Sequence, residues 1–250
     1  MKKLIKSKHI IAKATYIALI FIVLSGLRGS ALAQADTTQN NVFGAFLIMP
    51  IEFPVIDTKG LNQQLIANDY PEAKHPTANV GFGLQVYANR FISTLSFNKT
   101  TKKNDHDSYL TEVEYRSTSL NVGYSLTKSQ RFSAYPYIGF KGTGLNYLYR
   151  EKVPNSTSFG NYLQTNLNHK EVTNSRAHLD LGFGFSHQWF YLLNFRVGYL
   201  APIEKVKWNI NNNHTPLADS PAIRYNYYFT LTLGLGNIAS DADARRHYNR

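Results

Sequence analysis

Apolar and polar residues alternate one for one along several stretches of this chain, most clearly over 177–188. Ala177, Leu179, Leu181, Phe183 and Phe185 fall on one side of an extended strand there, and His178, Asp180, Gly182, Gly184 and Ser186 on the other. One face suits hydrocarbon and the other suits water. The same period predicts a strand over 77–87, with Val80, Phe82, Leu84 and Val86 outward and Gly81, Gly83, Gln85 and Tyr87 inward. It predicts another over 91–100, with Phe91, Leu95 and Phe97 outward. Over 109–126, Leu120, Val122, Tyr124 and Leu126 oppose Ser119, Asn121, Gly123 and Ser125.

Three further strands follow from the same rule. Residues 132–149 send Ile138 and Phe140 outward and Gly139, Lys141 and Thr143 inward. Residues 190–200 send Tyr191, Leu193, Phe195, Val197 and Tyr199 outward and Asn194, Arg196 and Gly198 inward. Residues 223–236 place Tyr225, Tyr227, Phe229, Leu231, Leu233 and Leu235 outward, with Arg224, Asn226, Tyr228, Thr230 and Thr232 inward. A first strand over 41–49 is apolar on both faces, so its inward face is unassigned; Pro50 and Pro54 are expected to end it.

Long polar or Pro-broken segments (51–76, 101–108, 150–174, 201–222) follow strands one, three, five and seven, and short turns follow two, four and six. Eight strands with this loop asymmetry predict an all-β fold, an eight-stranded antiparallel transmembrane up-and-down β-barrel. The alternating parts run to about nine to eleven residues, the length of a tilted crossing. Phe132, Tyr135, Tyr137, Trp189 and Phe190 near the turns, and Tyr147, Tyr149, Tyr199, Trp208 and Tyr225 near the loops, are expected to form two interfacial girdles. Glu112, Glu114 and Arg116 share the lipid-facing parity, so either they lie beyond the hydrocarbon or a bulge changes the phase.

The N-terminus carries Lys2, Lys3, Lys6, Lys8 and Lys13, then an apolar run over 14–24 and Ala31-Leu32-Ala33, the pattern of a cleaved signal peptide over 1–33. A polar lead-in spans 34–40, the barrel 41–237 and a charged tail 238–250. The formal charge of +11 suggests nucleic acid until residues 1–33 are subtracted; they hold six basic residues and no acid, leaving 21 basic against 16 acidic. That is an ordinary surface charge, and no nucleic-acid partner is expected. The absence of cysteine excludes disulfides and thiolate metal sites.

The Gly-aromatic strands G-F-G-L-Q-V-Y (81–87), Y-P-Y-I-G-F-K-G-T-G-L (135–145), L-D-L-G-F-G-F (179–185), F-R-V-G-Y-L (195–200) and Y-F-T-L-T-L-G-L-G (228–236) give the chain its resemblance. It resembles small bacterial outer-membrane β-barrel proteins of OmpA/OmpX-like architecture, and looks most like the "outer membrane protein beta-barrel domain" families. The resemblance implies the outer membrane of a Gram-negative bacterium, with outer-membrane lipid, lipopolysaccharide and the barrel-insertion machinery as partners. Members of these families share architecture more than activity. The tail departs from them, since many such chains end on an aromatic that closes the last strand. No peptidoglycan-binding domain is expected after the barrel.

A barrel of eight strands has an interior that side chains fill. Lys141, Asp180 and Arg196 point inward from three consecutive strands, a carboxylate between two cations, and form the candidate lumen charge cluster. His178, Gln85, Asn194 and Tyr228 are the candidate lumen polar residues. His178 and Asp180 share a face, but no third ligand accompanies them, so no metal site is expected. Ser186 and His187 are neighbours on opposite faces, so no catalytic residue is assigned. No cofactor is expected. The reading is a non-enzymatic outer-membrane barrel with a filled lumen and long extracellular loops that bind a surface ligand or serve the envelope structurally. The alternatives are a small channel or transporter using the lumen charges, and a lipid-modifying enzyme.

Overall fold

A computed structural model describes residues 42–240, apart from 128, 130, 154–167, 189, 206, 211–214 and 219. After β1 (Val42–Asp57) comes a nine-residue helix, α1 (Lys59–Ala67). Then follow β2 (Asn79–Ala88), β3 (Phe91–Asp105), β4 (Tyr109–Tyr124), β5 (Phe132–Glu151), β6 (His169–Gln188) and β7 (Leu192–Pro202). Two short strands, β8 (Trp208–Ile210) and β9 (Thr215–Pro216), precede β10 (Arg224–Ser240). β1 to β7 and β10 pair antiparallel in a ring, β10 joining β7 to β1. This is the eight-stranded up-and-down barrel that the alternation predicts, and closure leaves none of these eight strands with a free edge.

Side chains keep the two-residue period along most of the ring. Phe82, Leu84, Ile138, Phe140, Leu181, Phe195 and Phe229 are exposed on the outer wall, whereas Gln85, Lys141, Asp180, Asn194 and Arg196 are buried inside. The β3–β4 register runs unbroken from Phe91↔Tyr124 to Asp105↔Leu110, so no bulge shifts the phase. Glu112 and Glu114 therefore face outward, paired with Lys103 at 3.3 Å and Lys99 at 3.0 Å on the part of the hairpin beyond the apolar wall. β5 and β6 have 20 residues each. At ~3.3 Å per residue that is about 65 Å of strand, roughly twice what a nine- to eleven-residue crossing uses. The surplus lies at the loop end.

Several expectations are corrected. β1 does not stop at Met49; it continues through Pro50 and Pro54 to Asp57. Proline removes only its own N–H from the ladder, and pairing resumes in the same register on either side of it, Ile48↔Gly83 and Ile51↔Val80. The inward face of β1, open in the sequence, is Phe46, Ile48 and Glu52. Residues 101–105 are strand rather than loop, and β10 runs to Ser240, past the expected barrel end at 237. In β10 the phase slips by one: Tyr225 is buried rather than outward, Arg224 and Asn226 are exposed rather than inward, and from Tyr227 the predicted parity holds. Residues 1–33, 34–40 and 241–250, most of loop 150–174 and Asn211 to Asn213 lie outside the described residues.

The expected girdles divide. Phe132, Phe190 and Tyr199 are exposed on the outer wall, but Tyr135, Tyr137, Tyr147, Tyr225 and Trp208 are buried inside; Trp189 lies outside the described residues. Tyr135 and Tyr137 share parity with Gly139 and Lys141 and face the lumen. Glycines make room for them: a Cβ on Gly184 would sit 2.4 Å from the Tyr135 ring, and one on Gly182 or Gly198 would sit 2.3 Å or 2.7 Å from the Tyr137 hydroxyl. The Gly-aromatic strands are thus a packing code, with rings from one strand lying over bare backbone of its neighbours.

Two apolar clusters result. At the turn end, Phe46, Ile48, Tyr87, Ile92, Tyr135, Tyr137 and Leu192 pack together. At the loop end, Val113, Tyr115, Leu145, Tyr147 and Tyr225 pack with Leu61 of α1, Ala73, Trp208 and Ile223. Residues 58–78 and the described residues of 203–223 therefore fold over the barrel mouth. Tyr147 donates to the Pro71 carbonyl at 2.9 Å, the Trp208 indole donates to Pro221 O at 2.9 Å, and β8 pairs with the loop end of β6.

Candidate functional site

Between the two apolar clusters lies a polar layer that brings together most of the lumen residues named from the sequence. Lys141 of β5 donates to Glu52 Oε2 at 2.6 Å, with both side chains almost fully buried. Glu52 also accepts from the Tyr115 hydroxyl at 3.2 Å and Ser117 Oγ at 3.3 Å. The Lys141 ammonium stands 3.5 Å from the centroid of the Tyr228 ring. Its charge is thus met by a carboxylate and by an aromatic face. The Tyr228 hydroxyl donates to the Asp180 carboxylate, 2.8 Å from Oδ1 and 2.7 Å from Oδ2. It lies 3.0 Å from the Tyr137 hydroxyl, which also reaches the Val197 carbonyl at 3.1 Å.

The three charges do not meet in direct ion pairs. Among the described residues Asp180 makes no ion pair with Lys141 or Arg196, and for Arg196 the strand register gives the reason. Asp180 lies opposite Gly139 and Leu200, whereas Arg196 lies opposite Gly184, four residues or about 13 Å of strand away. Arg196 is buried with its guanidinium carbon 5.8 Å from the Tyr137 ring centroid, and its Nε and Nη1 have no protein partner. Four charges balance across the layer, Glu52 and Asp180 against Lys141 and Arg196.

Glu52 is the residue that reading the sequence missed. The prolines around it predict a loop, yet the signal is present: the parity of Phe46 and Ile48, carried through Pro50, puts a lone carboxylate on the inward face.

Gln85 and Asn194 belong to a second network nearer the turn end. Tyr135 donates to Asn194 Oδ1 at 2.9 Å, Asn194 Nδ2 to Gln85 Oε1 at 2.9 Å, and Gln85 Nε2 to the Tyr87 hydroxyl at 2.5 Å. Tyr87 donates to Ser186 Oγ at 3.1 Å. His178 sits apart, against the loop-end cluster, with Nδ1 3.3 Å from the Lys141 carbonyl and its ring edge-on to Tyr225 at 5.7 Å. Ser186 is buried and His187 exposed, on opposite faces of β6. Among the described residues no group of three His, Asp or Glu side chains comes within metal-binding reach.

Such a layer holds charges still. Each carboxylate has at least two oxygen or nitrogen donors, or one phenol shared between its oxygens, and each cation faces a tyrosine ring. The arrangement neutralises buried charge without offering an exposed nucleophile or base.

No protein-family model matches the chain, and no curated protein matches it in sequence. Among solved structures, Ail, the attachment invasion locus protein of Yersinia pestis, in complex with the heparin analogue sucrose octasulfate, is 12% identical with a TM-score of 0.39, over 81% of this chain and 100% of that one. CarO2 of Acinetobacter baumannii is 12% identical with a TM-score of 0.37, over 80% and 100%. A major outer membrane protein from Thermus thermophilus is 11% identical with a TM-score of 0.41, over 78% and 99%. At these scores the likeness carries no argument, and the architecture stands on the ring of paired strands.

Proposed function

We propose that this chain is an integral outer-membrane β-barrel whose lumen is a side-chain plug, and that its role, in surface binding or in envelope structure, is exercised at the extracellular end. The observation that carries the reading is the inverted distribution of side chains. Large apolar residues such as Leu47, Phe82, Ile138 and Phe140 are more than half exposed around the outer wall, while Glu52, Lys141, Asp180 and Arg196 are buried inside. A ring folded for water reverses that arrangement; a ring folded for hydrocarbon requires it. In this reading residues 1–33 are removed on export, the short turns face the periplasm and the long segments face outward. Lipid and lipopolysaccharide surround the wall, and the barrel-insertion machinery places it.

The plug reading rests on the two apolar clusters that bracket the polar layer and on the segments folded over the mouth. The channel alternative has one observation in its favour: among the described residues, Arg196 Nε and Nη1 and the hydroxyls of Thr230 and Thr232 lack protein partners in mid-lumen. These atoms suit internal water, but apolar packing lies on either side of them. For the enzyme alternative, no nucleophile, base and acid converge among the described residues. The membrane reading is tested by fractionation and by electrophoretic mobility with and without boiling. The full chain is expected in the outer-membrane fraction, resistant to urea extraction, with a folded band that shifts on heating. Recovery as a soluble periplasmic monomer would overturn the reading.

A further inference from the structure

We propose that the outer wall of β4, β5 and β6 seats a phosphorylated glycolipid of the outer leaflet, its phosphate on Arg116 and Lys99 and an acyl chain along the small residues beneath. The proposal rests on the membrane orientation given above. Arg116 of β4 faces outward and is exposed, directly across from Lys99 on one side and Gly144 on the other. A Cβ on Gly144 would sit 2.8 Å from Arg116 Nε and 3.0 Å from its Cγ. Glycine there lets the arginine arm lie flat along the wall. Lys99 Nζ is 3.0 Å from Glu114, and among the described residues Arg116 has no ion pair.

Beneath Arg116 the wall is low. Gly142 and Gly144 of β5 stand opposite Ala177 and Ser175 of β6, all on the outward face. A Cβ on Gly142 would meet nothing nearer than the Thr118 carbonyl at 4.0 Å. Phe140, the next outward residue down β5, stands at the foot of this furrow, and Phe97 stands across β4 from Gly142; both are exposed. Arg116 sits where the outer surface changes from these rings to the charged pairs of Lys99, Lys103, Glu112 and Glu114, which is the height of lipid headgroups. Acyl-chain space, an unpaired guanidinium and a neighbouring ammonium meet at one edge. Arginine binds phosphate through two parallel hydrogen bonds, and Glu114 keeps Lys99 aligned beside it. A phospholipid carries the same phosphate chemistry; the position at the loop end selects the outer-leaflet glycolipid.

The full chain refolded in detergent is mixed with diphosphoryl lipid A, with the same lipid dephosphorylated, or with phosphatidylglycerol, and binding is read by native mass spectrometry. The expected result is preference for diphosphoryl lipid A over the other two, reduced about tenfold by Arg116→Gln, in line with the strength of a charge-assisted pair. Gly144→Val, which keeps every charge but displaces the arm, should weaken binding several-fold. Unchanged binding in Arg116→Gln overturns the site, and equal binding of phosphatidylglycerol overturns the glycolipid. Heat-shifted mobility establishes that each variant is folded; if Gly144→Val is not, Arg116→Gln decides alone. Failure of the wild-type barrel to insert would sink the membrane reading instead.

Discussion

Removing the carboxylate of Glu52 should destabilise the barrel as much as any single polar change in the lumen. Glu52→Gln leaves the Lys141 ammonium almost fully buried, with the Tyr228 face at 3.5 Å and the more distant Asp180 carboxylate as its remaining electrostatic partners. It also weakens the hydrogen bonds from Tyr115 and Ser117. Breaking a buried ion pair from one side costs about 3–5 kcal/mol, because the other charge stays desolvated, and an aromatic face offsets about 2 kcal/mol of that. A net loss of about 1–3 kcal/mol is therefore expected, and Lys141→Met should cost a similar amount by stranding Glu52. The double change Glu52→Gln/Lys141→Met removes both charges and should lie within about 1 kcal/mol of wild type. The assay is equilibrium unfolding in urea of barrel refolded into vesicles, followed by tryptophan fluorescence, with all four proteins compared as a cycle. Additive losses would refute the reasoning, since they would mean that the two charges do not see each other. A loss below about 0.5 kcal/mol for either single change would show that the layer is hydrated and that the pair is not desolvated.

Three other outcomes follow from the same architecture. Leu181→Arg puts a charge on the outer wall and should cost about 2–4 kcal/mol and impair insertion, whereas Asp180→Asn, one residue away but inside, should insert normally; equal behaviour in a folding assay would contradict the face assignment. Gly198→Val drives a side chain into the Tyr228 and Tyr137 rings, with a Cβ already only 2.3 Å from Tyr228, so folding yield should fall, and Tyr137→Ala in the same chain should restore part of it. Leu61→Ala withdraws the anchor of α1 from the loop-end cluster and should speed proteolysis within 58–78 at least several-fold, while the barrel band stays intact on gels.

The outer wall was legible because lipid and lumen impose opposite demands on successive residues. Parity alone placed Phe82 and Gln85, Ile138 and Lys141, Leu181 and Asp180, Phe195 and Arg196 on their faces. It failed where something other than the two solvents acts. Pro50 and Pro54 read as strand breakers, since proline loses a hydrogen bond, yet a barrel strand tolerates the gap, and Glu52 was hidden behind them. The slip in β10 reversed Tyr225, for which nothing in the local pattern gave warning. Aromatic residues are ambiguous by nature: Tyr135, Tyr137 and Trp208 suit a girdle as well as a plug, and only the glycines opposite the two tyrosines distinguish the cases. The expected trio of Lys141, Asp180 and Arg196 had the right faces but assumed equal heights, and height depends on inter-strand register, which the alternation does not encode.

The central claim is that charges inside this barrel are locked in a plug rather than arranged along a path. Ion conductance of the refolded full-length barrel in a planar bilayer tests it most directly, with insertion established independently by heat-shifted mobility. Inserted protein should be silent, in both the wild type and Asp180→Asn. Steady, reproducible openings whose size changes in Asp180→Asn would contradict it and would make the polar layer a conducting site.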